Sequence, residues 1–293
     1  MRSFLSPKEF SQAINRSESS VKRWVDSGRI QAEKTEGGHR KISLEEAVRF
    51  VRTNKIQLVD PEVLGFSDLR HLSNEEWRPG TETDRLYELF VAGEIEKARG
   101  YIIFLYLNGM SVAEICDGPI SAAMERIGER WKHEDDGVAI EHRATDICIN
   151  AMNVFRATFD IEVNSPVAIG GALADDPYII PSTIVATTLL SQGINAINFG
   201  PNTPFDVFYH AIKTHRPFLV WLSISYIKRG MKIEPEIKRL AEVVKQNGAH
   251  FIVGGRAWVS ANSHPRPGAF PDLFTVKSMV ELIAFLKGLQ INR

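Results

Sequence analysis

The sequence predicts a multidomain α and α/β protein, and three observations carry that reading. Residues 166–289 alternate short, continuously apolar runs with helical stretches, the pattern of a doubly wound, flavodoxin-like parallel sheet covered on both faces. From Glu82 to about Phe155, apolar residues recur at helical spacing, with short breaks at Gly93 and Asn108-Gly109, as in a helical bundle. The first 54 residues carry 11 Lys/Arg and 7 Asp/Glu, a net +4 that leaves −5 for the remainder. A basic head on an acidic body fits a small nucleic-acid-binding module joined to parts that bind none.

The head divides at its own punctuation. Ser6-Pro7-Lys8-Glu9 reads as a capping box with proline at the first helical position, opening a helix to about Ile14. A second helix opens near Glu18 and stops at Gly28, expected to be left-handed. Arg29–Glu33 and His39–Ile42 flank Gly37-Gly38 and read as a hairpin with a basic tip. Ser43 with Glu46 is a second capping box, and the helix it opens includes Phe50 and Val51. Two short helices, a hairpin and a helix make a winged helix-turn-helix. Ser19, Ser20, Lys22 and Arg23 are assigned to the major-groove face, and His39, Arg40 and Lys41 to phosphate contacts from the hairpin. Trp24 and Val25 are read as core. The order and the Gly-Gly-His-Arg string resemble the MerR/excisionase family, which implies binding to a double-stranded DNA operator.

Residues 55–73, with Pro61 and Gly65, are expected to link the head to a four-helix bundle over 74–160. The bundle helices are placed at 82–92, 95–107, 111–133 with a break at Gly118-Pro119, and 137–155. After Trp131 come nine residues and then Glu141-His142. That arrangement resembles the upper-face motif of CarH-type photoreceptor repressors, in which Trp and Glu close over the adenosyl group of adenosylcobalamin. The chain departs from that family in carrying Lys132 directly after the Trp, with His133 one further along.

In the last module, 161–293, three places resemble cobalamin-binding domains. Asp176-Pro177-Tyr178-Ile179-Ile180-Pro181 stands where those domains have Asp/Glu-x-His-x-x-Gly. Ser223-Ile224-Ser225 ends the third strand, and Gly254-Gly255 ends the fourth. There the resemblance implies close approach of the cofactor's nucleotide tail to a backbone without side chains. Tyr178 replaces the histidine that supplies cobalt's lower nitrogen. A phenol is a poorer ligand, because its proton leaves only near pH 10. Three readings of Tyr178 stay open. Cobalamin binds with its own benzimidazole on cobalt or with a weak tyrosine ligand; the pocket serves a bilin or haem instead; or the domain is cofactor-free. Replacing Tyr178 by His is expected to raise cobalamin affinity if the pocket is otherwise intact.

The remaining expectations are broader. Cys116 and Cys148 form no zinc or redox pair, and no signal-type stretch or membrane span is visible, which together point to the cytosol. No nucleophile elbow or metal-ligand spacing of the eight histidines supports a hydrolase, and no enzyme activity is expected. The leading reading is a homo-oligomeric transcriptional regulator gated by a cobalamin-type, light-responsive module. The rivals are a partner-controlled, cofactor-free regulator and the corrinoid carrier of a methyltransferase.

Overall fold

The computed structural model describes residues 4–35, 37–72, 80–131, 137–156, 158–159, 161–261 and 273–289. The chain forms two compact units, Met1–Asp160 and Ile161–Arg293.

The first unit opens with β1 (Phe4–Leu5), α1 (Pro7–Ala13) and α2 (Glu18–Asp26). Both halves of the Ser6–Glu9 capping box form: Glu9 N–H donates to Ser6 Oγ at 3.2 Å, and Ser6 N–H to the Glu9 carboxylate at 2.8 Å. Gly28 is left-handed, with φ +73°. Then come β2 (Glu33–Lys34), β3 (Arg40–Ser43) and α3 (Leu44–Thr53). β2 and β3 pair antiparallel as expected, with Lys34 opposite Arg40. β1 adds a strand on the other side of β3, Leu5 opposite Ile42; two residues are too few to show an alternation in sequence. The second capping box forms only in half. Ser43 Oγ accepts from Glu46 N–H at 3.1 Å, but the Glu46 carboxylate turns away to Gln31 N–H at 2.7 Å and to Arg49. Trp24 packs on Phe50, ring centroids 5.2 Å apart, at the edge of the head's core.

Residues expected to connect freely are instead packed. Pro61–Leu64 and Ser67–Leu72 form 3₁₀ turns, and Leu64 and Phe66 are buried. The N–H groups of Val59 and Asp60 both donate to Ala13 O, while Asp68 pairs with Arg99 at 2.7 Å. The bundle follows as α4 (Glu82–Ala92), α5 (Ile95–Leu107), α6 (Val112–Ile115), α7 (Ser121–Trp131) and α8 (Gly137–Arg156). The break expected at Gly118-Pro119 is a π turn, Cys116–Ile120, joining α6 to α7. A widened turn accommodates a proline that has no N–H to donate. Cys116 and Cys148 are free and buried in this core, and burial pushes both thiols up, Cys148 to about 12.

Arg52 joins head to bundle. From the last turn of α3, its guanidinium lies 3.7 Å from the centroid of the Tyr106 ring on α5. It donates to the carbonyls of Tyr106 and Met110, the latter at 3.0 Å. These carbonyls lie at and beyond a helix end, where a cation adds to what the backbone N–H groups supply. Burial pulls the pKa of Arg52 down from its ordinary value.

The second unit contains β4 (Val167–Ala172), α9 (Ile179–Leu190), β5 (Asn195–Asn198), α10 (Phe205–His215), β6 (Leu219–Ser223), α11 (Glu234–Gln246), β7 (His250–Gly254), α12 (Arg256–Ala261), β8 (Phe274–Val276) and α13 (Met279–Gly288). The five strands lie in the order β5-β4-β6-β7-β8, all parallel. This is the doubly wound arrangement the alternation predicts. One sheet face packs Ile169, Val220, Leu222 and Val253 against Phe208 and Ile237 of α10 and α11. On the other face α9 lies over β4, β5 and β6, with α13 beside it. Strand order reverses between β4 and β6, so the crevice at their carboxyl ends is where such sheets bind ligands.

Removing the Arg52 fork leaves two helix-end carbonyls without their charged donor, so Arg52→Ala is expected to destabilise the first unit by about 2 kcal/mol. Arg52→Lys should recover only part, since an ammonium lacks the planar fork. Urea unfolding of the three proteins checks both; equal midpoints would show that the contact contributes nothing.

Candidate functional site

At the carboxyl edge of the second unit's sheet the organising residue is Asp176, which is fully buried. Its Oδ2 accepts from Ser225 N–H at 2.6 Å and Tyr226 N–H at 3.1 Å, and its Oδ1 from Tyr178 N–H at 3.1 Å. Its backbone carbonyl accepts from Asn202 N–H at 3.0 Å, and Asn202 Oδ1 in turn accepts from Asp175 N–H at 2.8 Å. One carboxylate thus joins the loops after β4 and β6, and its main chain adds the loop after β5. Charge-assisted bonds from three amides offset the cost of burying it. Asp176 and Ser225, two positions assigned to the site from the sequence, meet through the backbone N–H of Ser225.

Tyr178 is the N-cap of α9 and stays 39% exposed. Helix α9 starts at Ile179, so Pro181 stands third in its first turn. The Arg256 guanidinium, from the start of α12, lies 5.6 Å from the Tyr178 ring centroid. Lys228 pairs with Asp175 at 3.6 Å. Ser223 and Ser225 are both buried at the end of β6.

Gly254 and Gly255 require a correction. A Cβ on Gly254 would stand 2.6 Å from Val276 O, and one on Gly255 2.5 Å from Ile224 O. Gly255 also has φ +100°, a conformation that favours glycine. The space their missing side chains leave is taken by the protein's own backbone, not held open for a tail.

In the first unit, Glu141 on α8 is half-buried, while His142 beside it is exposed, its Nε2 3.7 Å from Glu141 Oε2. Of the adjacent pair, Glu141 is the one turned toward the bundle. Trp131 is the last residue of α7; its side chain, and Lys132 and His133, lie outside the described residues. Sequence reasoning missed Arg143, two residues past Glu141 on α8. It donates to Val91 O at 2.7 Å and Phe90 O at 3.3 Å, closing the end of α4.

In the head, Lys22 and Arg23 are exposed on α2, Lys22 in an i,i+4 pair with Glu18 at 2.8 Å. Ser19 and Ser20 share hydrogen bonds with the N-cap Ser17 at 3.0 and 2.8 Å. His39 is exposed on the hairpin, and Lys41 lies 5.7 Å from the Phe4 ring. Arg40 does something other than expected. It grips Asp26 of α2 through both carboxylate oxygens, at 2.7 and 3.1 Å, so it holds the hairpin against α2 rather than facing outward.

Among the described residues, no group of three or more His, Cys, Asp or Glu side chains is placed to hold a metal ion, and no helix is long and apolar enough to cross a membrane.

Residues 83–156 match the family described as B12 binding domain. No curated protein matches the chain in sequence. Among solved structures, the monomethylamine corrinoid protein of Methanosarcina barkeri is similar at a TM-score of 0.56 and 13% identity, covering 73% of this chain and 100% of that one. A cobalamin-binding protein of Desulfitobacterium hafniense gives 0.34 at 15% identity, over 70% of this chain and 97% of that one. The methanol:cobalamin methyltransferase complex of Methanosarcina barkeri gives 0.35 at 13%, over 82% and 88%. The first of these shows a shared fold of helices and parallel sheet. The family match supports a cobalamin cofactor, with the match lying on α4 to α8.

Asp176→Ala would strand the buried N–H of Ser225 without an acceptor and is expected to cost about 3 kcal/mol. Asp176→Asn, which retains one acceptor oxygen, should fall between. Denaturant midpoints of the three chains decide it; an unchanged Asp176→Ala midpoint would dismiss the clamp.

Proposed function

We propose that this chain is a transcriptional regulator whose winged helix-turn-helix head binds an operator under the control of a cobalamin-type sensor. The observation that carries this reading is the co-occurrence, on one chain, of the B12 binding domain match over 83–156 and the basic head. That head consists of two short helices, a hairpin and a third helix, with Lys22, Arg23, His39 and Lys41 exposed. In this reading α2 enters the major groove and the hairpin lies along phosphates. The Arg40–Asp26 pair supports it in a different way from a phosphate contact: it sets the angle between groove helix and wing.

Control works through linkage. Cobalamin, or light acting on its adenosyl form, favours one state of self-association, and self-association sets how many heads reach the operator together. A single small head buries little DNA and binds weakly, so avidity decides occupancy. Arg52 supports transmission within the first unit, because it fastens α3 of the head to the carboxyl end of α5.

A second reading is a corrinoid carrier in methyl transfer. The likeness to the monomethylamine corrinoid protein over that protein's full length favours it. Against it stand the basic head and Tyr178 at the position where a cycling cobalt would use a histidine.

The test begins with selection of bound duplexes from a random pool, followed by affinity measurements in the dark with and without adenosylcobalamin, then after green light. Enrichment of one sequence and a cofactor- or light-dependent change in affinity are expected. Lys41→Ala should weaken all duplexes alike and reduce the slope of log K against log salt by about 1, while Arg23→Ala should also relax sequence preference. No enrichment, together with methyl transfer from bound methylcobalamin to an acceptor, would establish the carrier instead.

A further inference from the structure

Resting on the cobalamin reading above, we infer that this site takes a complete corrinoid that keeps its own benzimidazole on cobalt, with the nucleotide tail folded beneath the ring rather than inserted between α9 and the sheet. Two features exclude the inserted arrangement, and a third suits the folded one.

The lower ligand is missing. Tyr178 offers a phenol, and the Asp176 carboxylate is fully buried and already accepts from three amide N–H groups. Among the described residues, no histidine stands at the carboxyl ends of these strands to supply a nitrogen in place of the cofactor's own base.

The path for the tail is filled. Along β4 and β6 the residues facing α9 alternate with those of the α10/α11 core, so Gly170, Trp221 and Ser223 share the α9 face. A tail entering past Ser223 and Gly254 would run toward Trp221, two residues deeper on the same face. That indole lies flat on Gly170: three of its ring atoms stand 2.0, 2.3 and 2.4 Å from where a Cβ would be. It is 1% exposed. Gly170 therefore serves to admit Trp221, just as Gly254 and Gly255 admit Val276 O and Ile224 O. The glycines that look like a cradle in the sequence are spent on protein packing.

A folded tail needs only a surface. The exposed Tyr178 ring, with the Arg256 guanidinium beside it, offers an aromatic face and a cation at the sheet edge. A benzimidazole nucleotide carries an aromatic base and a phosphodiester, the two groups such a pair suits.

The buried atoms define the alternative. Trp221 Nε1 and Thr188 Oγ1, on the strand and helix that bound this space, have no hydrogen-bond partner among the described residues. An inserted tail that pried α9 from the sheet would be met there by one donor and one hydroxyl.

The experiment is electron paramagnetic resonance of the protein loaded with cob(II)alamin and desalted, prepared with natural-abundance and with uniformly ¹⁵N-labelled protein. A ¹⁴N nucleus on cobalt splits each line into a triplet and ¹⁵N into a doublet. The inference expects a triplet in both samples, because the nitrogen belongs to the cofactor. It further expects that Tyr178→His leaves the triplet in place, since Trp221 still fills the tail's path. Cobinamide, which lacks the nucleotide, should bind at least tenfold more weakly, and Arg256→Ala should weaken cobalamin but not cobinamide. Loss of nitrogen splitting on binding, or a doublet in labelled protein, would overturn the inference while leaving the cobalamin reading intact. So would a doublet from labelled Tyr178→His protein. If no corrinoid survives desalting, the cobalamin reading fails and this inference with it.

Discussion

A single buried carboxylate holds the carboxyl edge of the sheet in its shape. Asp176 sits at the point where strand order reverses, and there the loops after β4, β5 and β6 would otherwise splay apart. Its carboxylate accepts from amides 2, 49 and 50 residues away in the loops after β4 and β6, and its backbone carbonyl, accepting from Asn202 N–H, adds the loop after β5. Tyr178 is presented at that edge because its own N–H is one of the three amides. The side chain at residue 178 is thereby fixed in space at the start of α9.

The same economy governs the sheet behind it. Trp221 is a large residue in a central strand, and it lies flat against its neighbour most readily where that strand presents no side chain. Gly170 meets that condition. The indole then closes the α9 side at a depth where open space would be needed for a long cofactor tail. If the inference above holds, a substitution at residue 178 alone does not restore the arrangement that the motif suggests, because Trp221 still fills the space behind it.

In the first unit the coupling elements are arginines. Arg40 fastens the hairpin to α2, Arg52 fastens α3 to α5, and Arg99 fastens the 3₁₀ turns to the bundle. Each places a planar fork against a carboxylate, ring or helix-end carbonyl, where a lysine would be a poorer fit. The result is a head tied to its bundle, which is what transmission from a sensor to a DNA-binding surface would need.

Much was legible in the sequence where the cause is local. The Ser6–Glu9 box, the left-handed Gly28 and Gly93, the hairpin around Gly37-Gly38 and the strand–helix alternation of 166–289 all follow from side chains acting within a few residues. The Asp176–Tyr178 position and the gap it carries were likewise visible as a motif. What the sequence could not determine is where long-range partners go. That Asp176 serves amides rather than a ligand, that Arg40 faces Asp26 rather than solvent, that Gly254 and Gly255 are filled by backbone, and that Trp221 lies on Gly170 depend on chain segments far apart in sequence. Periodicity reports which face of an element is apolar, but it carries no record of what that face meets. Only tertiary packing decides whether a glycine leaves room for a cofactor or for the protein itself.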